Sequence, residues 1–414
     1  MSKPKLALAA LVLLALATAP WWLSAGLLNA AIQMLIAALF ACAFNLLCGR
    51  AGMLSFGHAA YFGVGAFATV HAMNALGGQG LLPTPLLPLA GGAMGLAVGL
   101  VAGWFSTQRS GTYFAMITLA IAELIHALAP HLKGLFGGEA GVSSMRAAAW
   151  GLSFGPTSQV YWLTLVWVLL CLALLYAFTQ TPLGRLALGL RENSHRLAFL
   201  GYDVHRVGVL MFAISAMFSG VAGGLQVISN ESANYVLLDS HLSAAVVLNT
   251  FIGGVHAFLG PAVGAALMTF FGYAVSDLTQ SWLLYQGILF VLVMMYMPDG
   301  LVGLWSRWPS WKERWGLGRL LGVSVAVLLL AGLAALSTVV LVELLQRWFS
   351  QDHQAMVQAA GGVSPAIVLL GREWWPQHLG TWLLPALGLA LAGGGGWALR
   401  QRLQALNESS EPTA

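Results

Sequence analysis

The ionisable side chains of this 414-residue chain are concentrated in one segment, Thr181–Arg206. The segment contains four arginines: Arg185, Arg191, Arg196 and Arg206. A charge at the centre of a bilayer costs roughly 2.5–3.5 kcal/mol per residue on insertion scales. These arginines therefore cannot lie in hydrocarbon, and their chemistry is electrostatic contact with an aqueous partner or with the membrane surface. The alternative is that they only set the orientation of neighbouring membrane helices, as basic loops do.

The same segment carries residues that begin and end a helix. Thr181 can cap an N-terminus, Pro182 suits a first helical turn and Gly201 suits a left-handed ending. Leucines between them predict an apolar stripe under a basic face: Leu186, Leu190, Leu197 and Leu200. Glu192 and Arg196 are one turn apart, and such an exposed pair supports a helix by about 0.3–0.5 kcal/mol. We therefore predict a single short amphipathic helix at the membrane surface.

Other candidate functional residues lie inside apolar runs. Residues 51–70, AGMLSFGHAAYFGVGAFATV, contain Ser55, His58 and several glycines, and Glu123 is the only carboxylate predicted well inside a span. An intramembrane acid suggests a functional site. The residues that we predict to line a substrate path are Ser55, Gly57, His58, Gly63, Gly65 and Glu123. As alternatives, the glycines could form a helix-packing face, His58 could be satisfied by a neighbouring carbonyl, and Glu123 could reach the interface or pair locally.

Patterns for catalysis, nucleotide binding and metal binding are missing from the sequence. There is no G-x-x-x-x-G-K-[ST] for phosphates, no H-E-x-x-H, no G-x-S-x-G and no C-x-x-C. Cys42, Cys48 and Cys171 lie in or at the end of apolar runs, so a disulfide framework is not expected. We predict no catalytic residue, no metal ligand and no cofactor on this chain. The net charge of +4 comes from bases that flank apolar runs and does not imply nucleic-acid binding.

The composition is that of a polytopic membrane protein. Hydrophobic residues make up 59% and charged residues 8% of the chain, whereas about a quarter of a soluble protein is charged. A span needs about 20 apolar residues. On that criterion the predicted helices are 6–24, 27–48, 52–76, 85–106, 112–132, 157–179, 207–228, 241–256, 258–276, 282–298, 319–342 and 383–399. The predicted fold is all-α, with about ten core spans and two further C-terminal spans.

Basic residues predict the orientation of these spans, because loops rich in Lys and Arg stay in the cytoplasm. Successive spans cross the membrane in alternate directions. If Lys3 and Lys5 are cytoplasmic, the following basic residues are then cytoplasmic too: Arg50, Arg109, those of 181–206, Arg307, Lys312, Arg314, Arg319, Arg400 and Arg402. Both termini are then cytoplasmic. The N-terminal run resembles a signal peptide, but Pro20 directly follows Ala-Thr-Ala and a second run begins within ten residues. We therefore predict a retained first helix.

Several motifs together resemble one family of membrane proteins. The sequence RENSHRLAFLG follows TPLGR, and an Asn-Leu-Leu-x-Gly lead-in at residues 45–49 precedes Gly-x-Leu-Ser-x-Gly-His-Ala-Ala. Residues 246–264 and Met297-Pro-Asp-Gly-Leu continue the likeness. Over about residues 26–304 the chain resembles permeases of ATP-binding-cassette importers, of the branched-chain amino acid (LivM-like) type. Phe136 and His256 depart from the family pattern, in which Thr and Gly are usual, so the local turn chemistry at His256 stays open.

The resemblance implies both a function and partners. Branched-chain or related amino acids would cross the bacterial cytoplasmic (inner) membrane, with ATP and Mg bound by two separate ATPase subunits. The further partners would be a second homologous permease, a periplasmic or extracellular substrate-binding protein and membrane lipid. Segment 181–206 would be the coupling segment that docks into a groove of the ATPase. The residues expected to serve this coupling are Gly184, Arg185, Arg191, Glu192, Asn193, Arg196, Ala198 and Gly201.

The resemblance also divides the chain into regions. These are a permease domain at 1–304, a cytoplasmic Trp-rich and basic segment at 305–318, a two-helix extension at 319–399 with an external loop at 343–382, and a tail at 400–414. Two other function classes stay open. An ion-coupled transporter would need more intramembrane acids than Glu123, and a membrane hydrolase would need a nucleophile with its base. The sequence leaves the choice of amino acid or related amide open.

Overall fold

The computed structural model shows a chain that is almost entirely helical. It describes residues 3–77, 81–276, 279, 281–297, 299–303, 308, 316–359, 364–369 and 372–408. The predicted Trp-rich segment 305–318 lies outside these residues, apart from Trp308 and 316–318, and so do the last six residues of the tail. The chain forms two compact units, Met1–Val275 with Gln286–Trp305 and Ser276–Tyr285 with Ser306–Ala414.

The helices up to residue 296 follow one another with short connections. They are α1 Lys3–Trp22, α2 Ala25–Asn45, α3 His58–Ala72, α4 Pro88–Ser106, α5 Thr112–Leu128, α6 Lys133–Phe136, α7 Thr157–Gln180, α8 Pro182–Phe199, α9 Val204–Asn230, α10 Ser240–Gly253, α11 Gly260–Ser276 and α12 Trp282–Tyr296. A π-helical turn, Leu46–Arg50, follows α2. Strand β1, Val142–Ser143, pairs antiparallel with β2, Ser232–Ala233.

Many of the described helices have the length and apolar character of membrane spans. Seven stretches qualify among the described residues: Ala25–Arg50, Thr84–Ser106, Thr157–Gln180, Val204–Asn230, Trp282–Gly303, Leu320–Trp348 and Leu379–Arg402. Shorter apolar helices lie at Ala10–Trp22, Thr112–Leu128, Ser240–Gly253 and Gly260–Ser276. Every predicted span has a helix at its position, so the prediction of an all-α polytopic membrane protein is confirmed.

Helix α9 forms the centre of the first unit, where α2, α3 and α4 pack around it. Small residues allow this close approach. A Cβ on Gly220 would meet the backbone of α4 at Gly91, and a Cβ on Gly223 would meet the carbonyl of Phe62 on α3. Membrane helices associate through such backbone contacts because lipid gives them no hydrophobic drive to pack. The small residues of 213–224 therefore form a helix-packing face.

The predicted helix 52–76 is wrong at its beginning, because α3 begins only at His58. Gly52 adopts a left-handed backbone conformation with φ +70°, which glycine tolerates and which ends the preceding helical turn. The N–H of Phe56 donates to the Thr118 side-chain oxygen of α5 at 3.2 Å, so this part of the chain bonds to another helix instead of continuing its own.

Residues 240–276 form two separate helices joined by a turn, at the positions of the two predicted spans 241–256 and 258–276. Gly254 in the turn has φ +111°. A Cβ on Gly264 of α11 would meet the carbonyl of Asn249 and the backbone of Gly253 on α10. The two helices therefore contact each other directly beside the turn.

An ion pair fixes the connection between α6 and α7 to the end of α9. Arg146 Nε lies 3.1 Å from a carboxylate oxygen of Glu231, and the Arg146 backbone N–H donates to the same oxygen at 3.0 Å. The guanidinium also donates to the carbonyl of Ile228 at 3.1 Å. Together with the β1–β2 pairing, these bonds order the chain at this end of the unit.

The second unit contains two long helices, α13 Leu317–Trp348 and α15 Leu379–Glu408, packed against each other. The connection predicted as an external loop at 343–382 includes the last turn of α13, helix α14 Gln351–Ala359 and a hairpin of β3 Ile367–Leu369 with β4 Arg372–Trp374. Buried Glu343 accepts hydrogen bonds from the side chains of Thr279 and Tyr285. Separately, an apolar core lies within this unit and contains Val340, Leu344, Ile367 and Leu369.

Candidate functional site

The coupling segment begins with the predicted cap. The Thr181 side chain accepts a hydrogen bond from the N–H of Gly184 at 3.2 Å, and its hydroxyl donates to the Phe178 carbonyl at 2.7 Å. Pro182 occupies the first helical turn, where its missing N–H costs nothing. Gly184 is buried, and a Cβ there would meet the Phe178 carbonyl. Gly184 therefore shapes the corner between α7 and α8.

Segment α8 is not the single helix that the sequence predicted. Asn193 has φ −161° and ψ 97°, an extended conformation that breaks α8 into two helical pieces. Its side-chain oxygen accepts from the N–H of Arg196 at 3.0 Å, so Asn193 is the N-cap of the second piece. Glu192 and Arg196 thus belong to different pieces, and the i, i+4 support predicted for them is wrong.

The segment ends in a left-handed turn, as predicted. Gly201 has φ +86°. Its N–H donates to the Ala198 carbonyl at 3.0 Å, and the N–H of Tyr202 donates to the Leu197 carbonyl at 3.2 Å. This is the hydrogen-bond pattern of a Schellman motif, which satisfies the last carbonyls of a helix. Asp203 then caps α9 by accepting from the N–H of Arg206 at 3.1 Å.

The predicted apolar stripe divides at the break. Leu197 is buried and lies against Gly189, where a Cβ would collide with it. Leu200, predicted on the buried face, is instead 67% exposed, and Phe199 beside it is 92% exposed. The residues of the segment with exposed side chains include Arg185, Glu192, Arg196 and Ala198. We call Phe199 and Leu200 the docking pair, because they are large apolar groups that this chain leaves uncovered.

The side chain of Arg191, unlike those of the exposed residues named above, bonds to other elements of the first unit. One guanidinium nitrogen donates to the carbonyl of Gly49, in the π-helical turn after α2, at 2.6 Å. The other lies 3.3 Å from Nδ1 of His256, in the turn between α10 and α11. This contact provides a partner for His256, at whose position the sequence left the turn chemistry open.

Two of the predicted path residues are completely buried within the first unit. His58 Nε2 lies 2.7 Å from the Ser215 hydroxyl oxygen, and that hydroxyl donates to the Ala43 carbonyl at 2.6 Å. The serine oxygen therefore accepts from His58, whose ring also packs against Tyr61. Ser55 lies wholly inside as well, and its hydroxyl oxygen accepts from the N–H of Gly57 at 3.3 Å.

The path glycines of α3 make close contacts with other helices. A Cβ on Gly57 would meet the carbonyl of Thr118 on α5, and a Cβ on Gly65 would meet the backbone of Gly220. A Cβ on Gly63 would meet the side chain of Leu238. Gly63 and Gly65 hold α3 against its neighbours, and Gly57, just before α3, packs against Thr118 of α5.

Glu123 lies on the other face of α5. Phe114, Thr118 and Ala122 face the protein interior, whereas the carboxylate side is exposed together with Met116 and Ala120. The predicted path residues therefore lie in two places. Those between Ser55 and Gly65 are buried on the inward side of α5, and Glu123 lies on the exposed face of α5.

No group of three metal-ligating side chains occurs within the described ranges.

Two features of the segment were not predicted from the sequence: the exposure of the docking pair, and the bonds of the Arg191 side chain to Gly49 and His256. An Asn followed by Ser, His and Arg is a plausible N-cap, and this feature could have predicted the break that exposes Phe199. The contact of Arg191 joins residues that are 142 positions apart. Local sequence carries no information about it.

Comparisons with known proteins show the family to which the chain is similar. Residues 26–298 match the family described as the permease component of the branched-chain amino acid transport system. The high-affinity branched-chain amino acid transport system permease protein LivM of Escherichia coli (strain K12) is 29% identical over 329 residues, which cover 72% of this chain and 75% of that protein.

Two further relatives extend the likeness. A probable branched-chain amino acid transport permease protein LivM of Methanocaldococcus jannaschii is 26% identical over 274 residues, 58% of this chain and 77% of that protein. The permease protein LivH of Escherichia coli (strain K12) is 23% identical over 303 residues, 64% of this chain and 91% of that protein. No solved structure matches the chain.

Proposed function

Because the chain belongs to the family of branched-chain amino acid transport permeases, we propose that it is a membrane-spanning subunit of an ATP-binding-cassette importer for branched-chain or related amino acids. The sequence has no phosphate-binding loop of the P-loop type. ATP and Mg are therefore bound by two separate ATPase subunits, and this chain is not itself an enzyme. A second permease of the same family and an external substrate-binding protein complete the importer.

The docking pair is the observation that carries this proposal. Phe199 and Leu200 are 92% and 67% exposed at the end of a capped, well-defined helix. The charged residues around them keep the segment out of hydrocarbon. Burying one such side chain against a partner contributes about 1.5–3 kcal/mol. A groove on the ATPase provides that cover, and the exposed Arg185, Glu192 and Arg196 supply polar contacts around it.

Both ends of the coupling segment are ordered by hydrogen bonds, so the segment can transmit movement. Thr181 and Asn193 cap its two helical pieces, and Gly201 closes it with two backbone hydrogen bonds. A disordered loop would absorb movement of the ATPase instead of transmitting it. ATP binding and hydrolysis then shift the permease pair between outward-facing and inward-facing states, because each state makes different contacts with the ATPases.

The exposed face of α5 is the proposed wall of the substrate path. Glu123 lies among apolar residues on that face, and a carboxylate in contact with lipid is costly. A second permease that faces α5 would enclose a polar path and place Glu123 on it, where the carboxylate could attract the ammonium group of an amino acid. Ser55, Gly57, His58, Gly63 and Gly65 support the path from behind.

The positions of the bases give the proposed orientation. The coupling segment faces the cytoplasm because it must meet the ATPases, and an even number of spans then places both termini on that side. The bacterial cytoplasmic membrane is the proposed location.

Copurification tests the docking proposal. The ATPase subunits carry an affinity tag, and the amount of permease retained in detergent is measured for wild type, Phe199→Asp and Phe199→Leu. We expect aspartate to reduce retention by about tenfold or more, because it places a charge in an apolar groove, whereas leucine keeps the apolar contact. Equal retention of the aspartate and leucine variants, each eluting as a monodisperse permease in size-exclusion chromatography, would refute docking at this pair.

A further inference from the structure

Arg191 is an arginine of the coupling segment whose side chain hydrogen-bonds to elements outside that segment. It lies in the last turn of the first helical piece, two residues before the break at Asn193. Its hydrogen bond to the Gly49 carbonyl is 2.6 Å long and partly buried. Its bond to His256 Nδ1, at 3.3 Å, lies at the surface. One planar guanidinium thus contacts two membrane elements at once.

The Gly49 carbonyl is suited to accept this bond. It lies in the π-helical turn that ends α2, and carbonyls at the end of a helix lack an onward backbone partner. Gly52, just beyond, has φ +70°, and a Cβ there would lie 3.0–3.2 Å from atoms of Arg191. The backbone after α2 therefore closes around the arginine, and the absence of a side chain at Gly52 permits it.

The same end of α2 also holds the turn that carries His256. The side-chain amide of Asn45 donates to the carbonyl of Val255 at 3.2 Å. In turn, a Cβ on Gly254 would meet the carbonyl of Asp299, and a Cβ on Gly300 would meet the backbone of Gly254. The α10–α11 turn is thus in backbone contact with the segment after α12. Arg191 thus joins the coupling segment to the end of α2 and to the α10–α11 turn, and that turn in its own right contacts the segment after α12.

We propose that Arg191 is a positioning residue that carries movement of the coupling segment to the end of α2 and to the α10–α11 turn, through its hydrogen bonds to Gly49 and His256. This inference rests on the proposed docking of an ATPase on the coupling segment. It assigns Arg191 a partner within the chain, whereas the family resemblance grouped it with the residues expected to serve ATPase coupling. It also gives His256 a function as the surface acceptor of the same link.

The geometry explains why this link can transmit movement. A hydrogen bond of 2.6 Å is lost once its atoms separate beyond about 3.5 Å. While both acceptors hold the guanidinium, a shift of the coupling segment by about 1 Å away from Gly49 strains this bond and pulls on the end of α2. The rigid fork of arginine can hold two acceptors on different elements, whereas the single ammonium of lysine on a flexible stem cannot reproduce that geometry.

The experiment compares variants of the complete complex, reconstituted in liposomes with both ATPases, the second permease and the binding protein loaded with L-leucine. The variants are Arg191→Met, Arg191→Lys, His256→Phe and His256→Gln, with Arg109→Met as the matched control. Arg109 is an exposed arginine whose side chain makes no hydrogen bond or ion pair to another described residue. The readouts are ATPase copurification, the ratio of stimulated to basal ATP hydrolysis, and uptake.

We expect the ATPase to copurify with every variant. The stimulation ratio should fall about fivefold or more in Arg191→Met and Arg191→Lys, the lower end of typical coupling between sites. The stimulation ratio should fall less in His256→Phe, because the bond between Arg191 and His256 is exposed. It should return towards the wild-type value in His256→Gln, because the glutamine amide oxygen can accept a hydrogen bond from Arg191. The stimulation ratio of the double variant Arg191→Met with His256→Phe should equal that of Arg191→Met alone, because both changes interrupt the same link.

Two results would overturn the inference. A stimulation ratio in Arg191→Met equal to that in Arg109→Met would show that the link carries no coupling. Loss of ATPase copurification in Arg191→Met would show that Arg191 contacts the ATPase itself. Failure of the docking proposal is visible separately, because Phe199→Asp would then retain the ATPase as well as wild type does.

Discussion

Replacing Gly201 with valine is expected to uncouple the importer without unfolding the permease. Gly201 has φ +86°, and a Cβ built on it meets no atom within 4 Å. The cost of the substitution is therefore backbone strain alone and involves no collision. For an L-residue the left-handed conformation costs roughly 1–2 kcal/mol. Relieving that strain by unwinding the turn would instead lose the two hydrogen bonds to Leu197 and Ala198, about 0.5–1.5 kcal/mol each.

A change of one or two kcal/mol shifts a local equilibrium by a factor of about 5–30. The ordered end that presents Phe199 and Leu200 would thus be populated much less often in Gly201→Val. Gly201→Asn is the matched control, because asparagine tolerates the left-handed conformation better than valine. The assay is ATP hydrolysis of the reconstituted complex with and without loaded binding protein, together with uptake. Both should fall in the valine variant and be largely retained in the asparagine variant. Full stimulation in Gly201→Val would refute the claim that this turn orients the docking pair.

Three further predictions follow from the fold and the proposed path. Glu123→Gln should lower uptake while the ATPases still copurify, and unchanged uptake would remove the carboxylate from the path. In a variant without the native cysteines, His195→Cys should be labelled from the cytoplasm and Met145→Cys from outside; labelling of both from one side would contradict the orientation. Truncation after Trp315 should leave ATPase copurification intact, because the family match ends at residue 298 and the second unit has its own core. Loss of the permease from the membrane would show that the extension is needed for folding.

Local chemistry explains why the two ends of the coupling segment were predictable. A threonine cap, a proline in the first turn and a glycine at a left-handed ending each act locally, and the hydrogen bonds involved span at most five positions. The interior of the segment was harder, because leucine periodicity suggested one helix. Asn193 overrides that periodicity by capping a second piece. The break then turns Leu197 inward and leaves Leu200 outside.

The candidate path shows where sequence reasoning fails. Polar residues in an apolar run suggest function, yet His58 finds its partner in Ser215, 157 positions away, and becomes part of a packed core. The same run supplies glycines whose contacts lie on α5 and α9. Tertiary contacts of this kind decide whether a polar residue faces a path or a neighbouring helix. Only Glu123, on an exposed face, keeps a position from which it could meet a substrate directly.

The proposed importer function can be tested by uptake of radiolabelled L-leucine into proteoliposomes that contain the complete complex. The binding protein is supplied outside, and ATP or ADP is enclosed with the ATPase side in the lumen, in the absence of ion gradients. We expect accumulation above the external concentration with enclosed ATP, none with ADP, and none when the binding protein is omitted. Accumulation that needs a proton or sodium gradient and proceeds equally with ADP would contradict it, because this chain would then be an ion-coupled transporter.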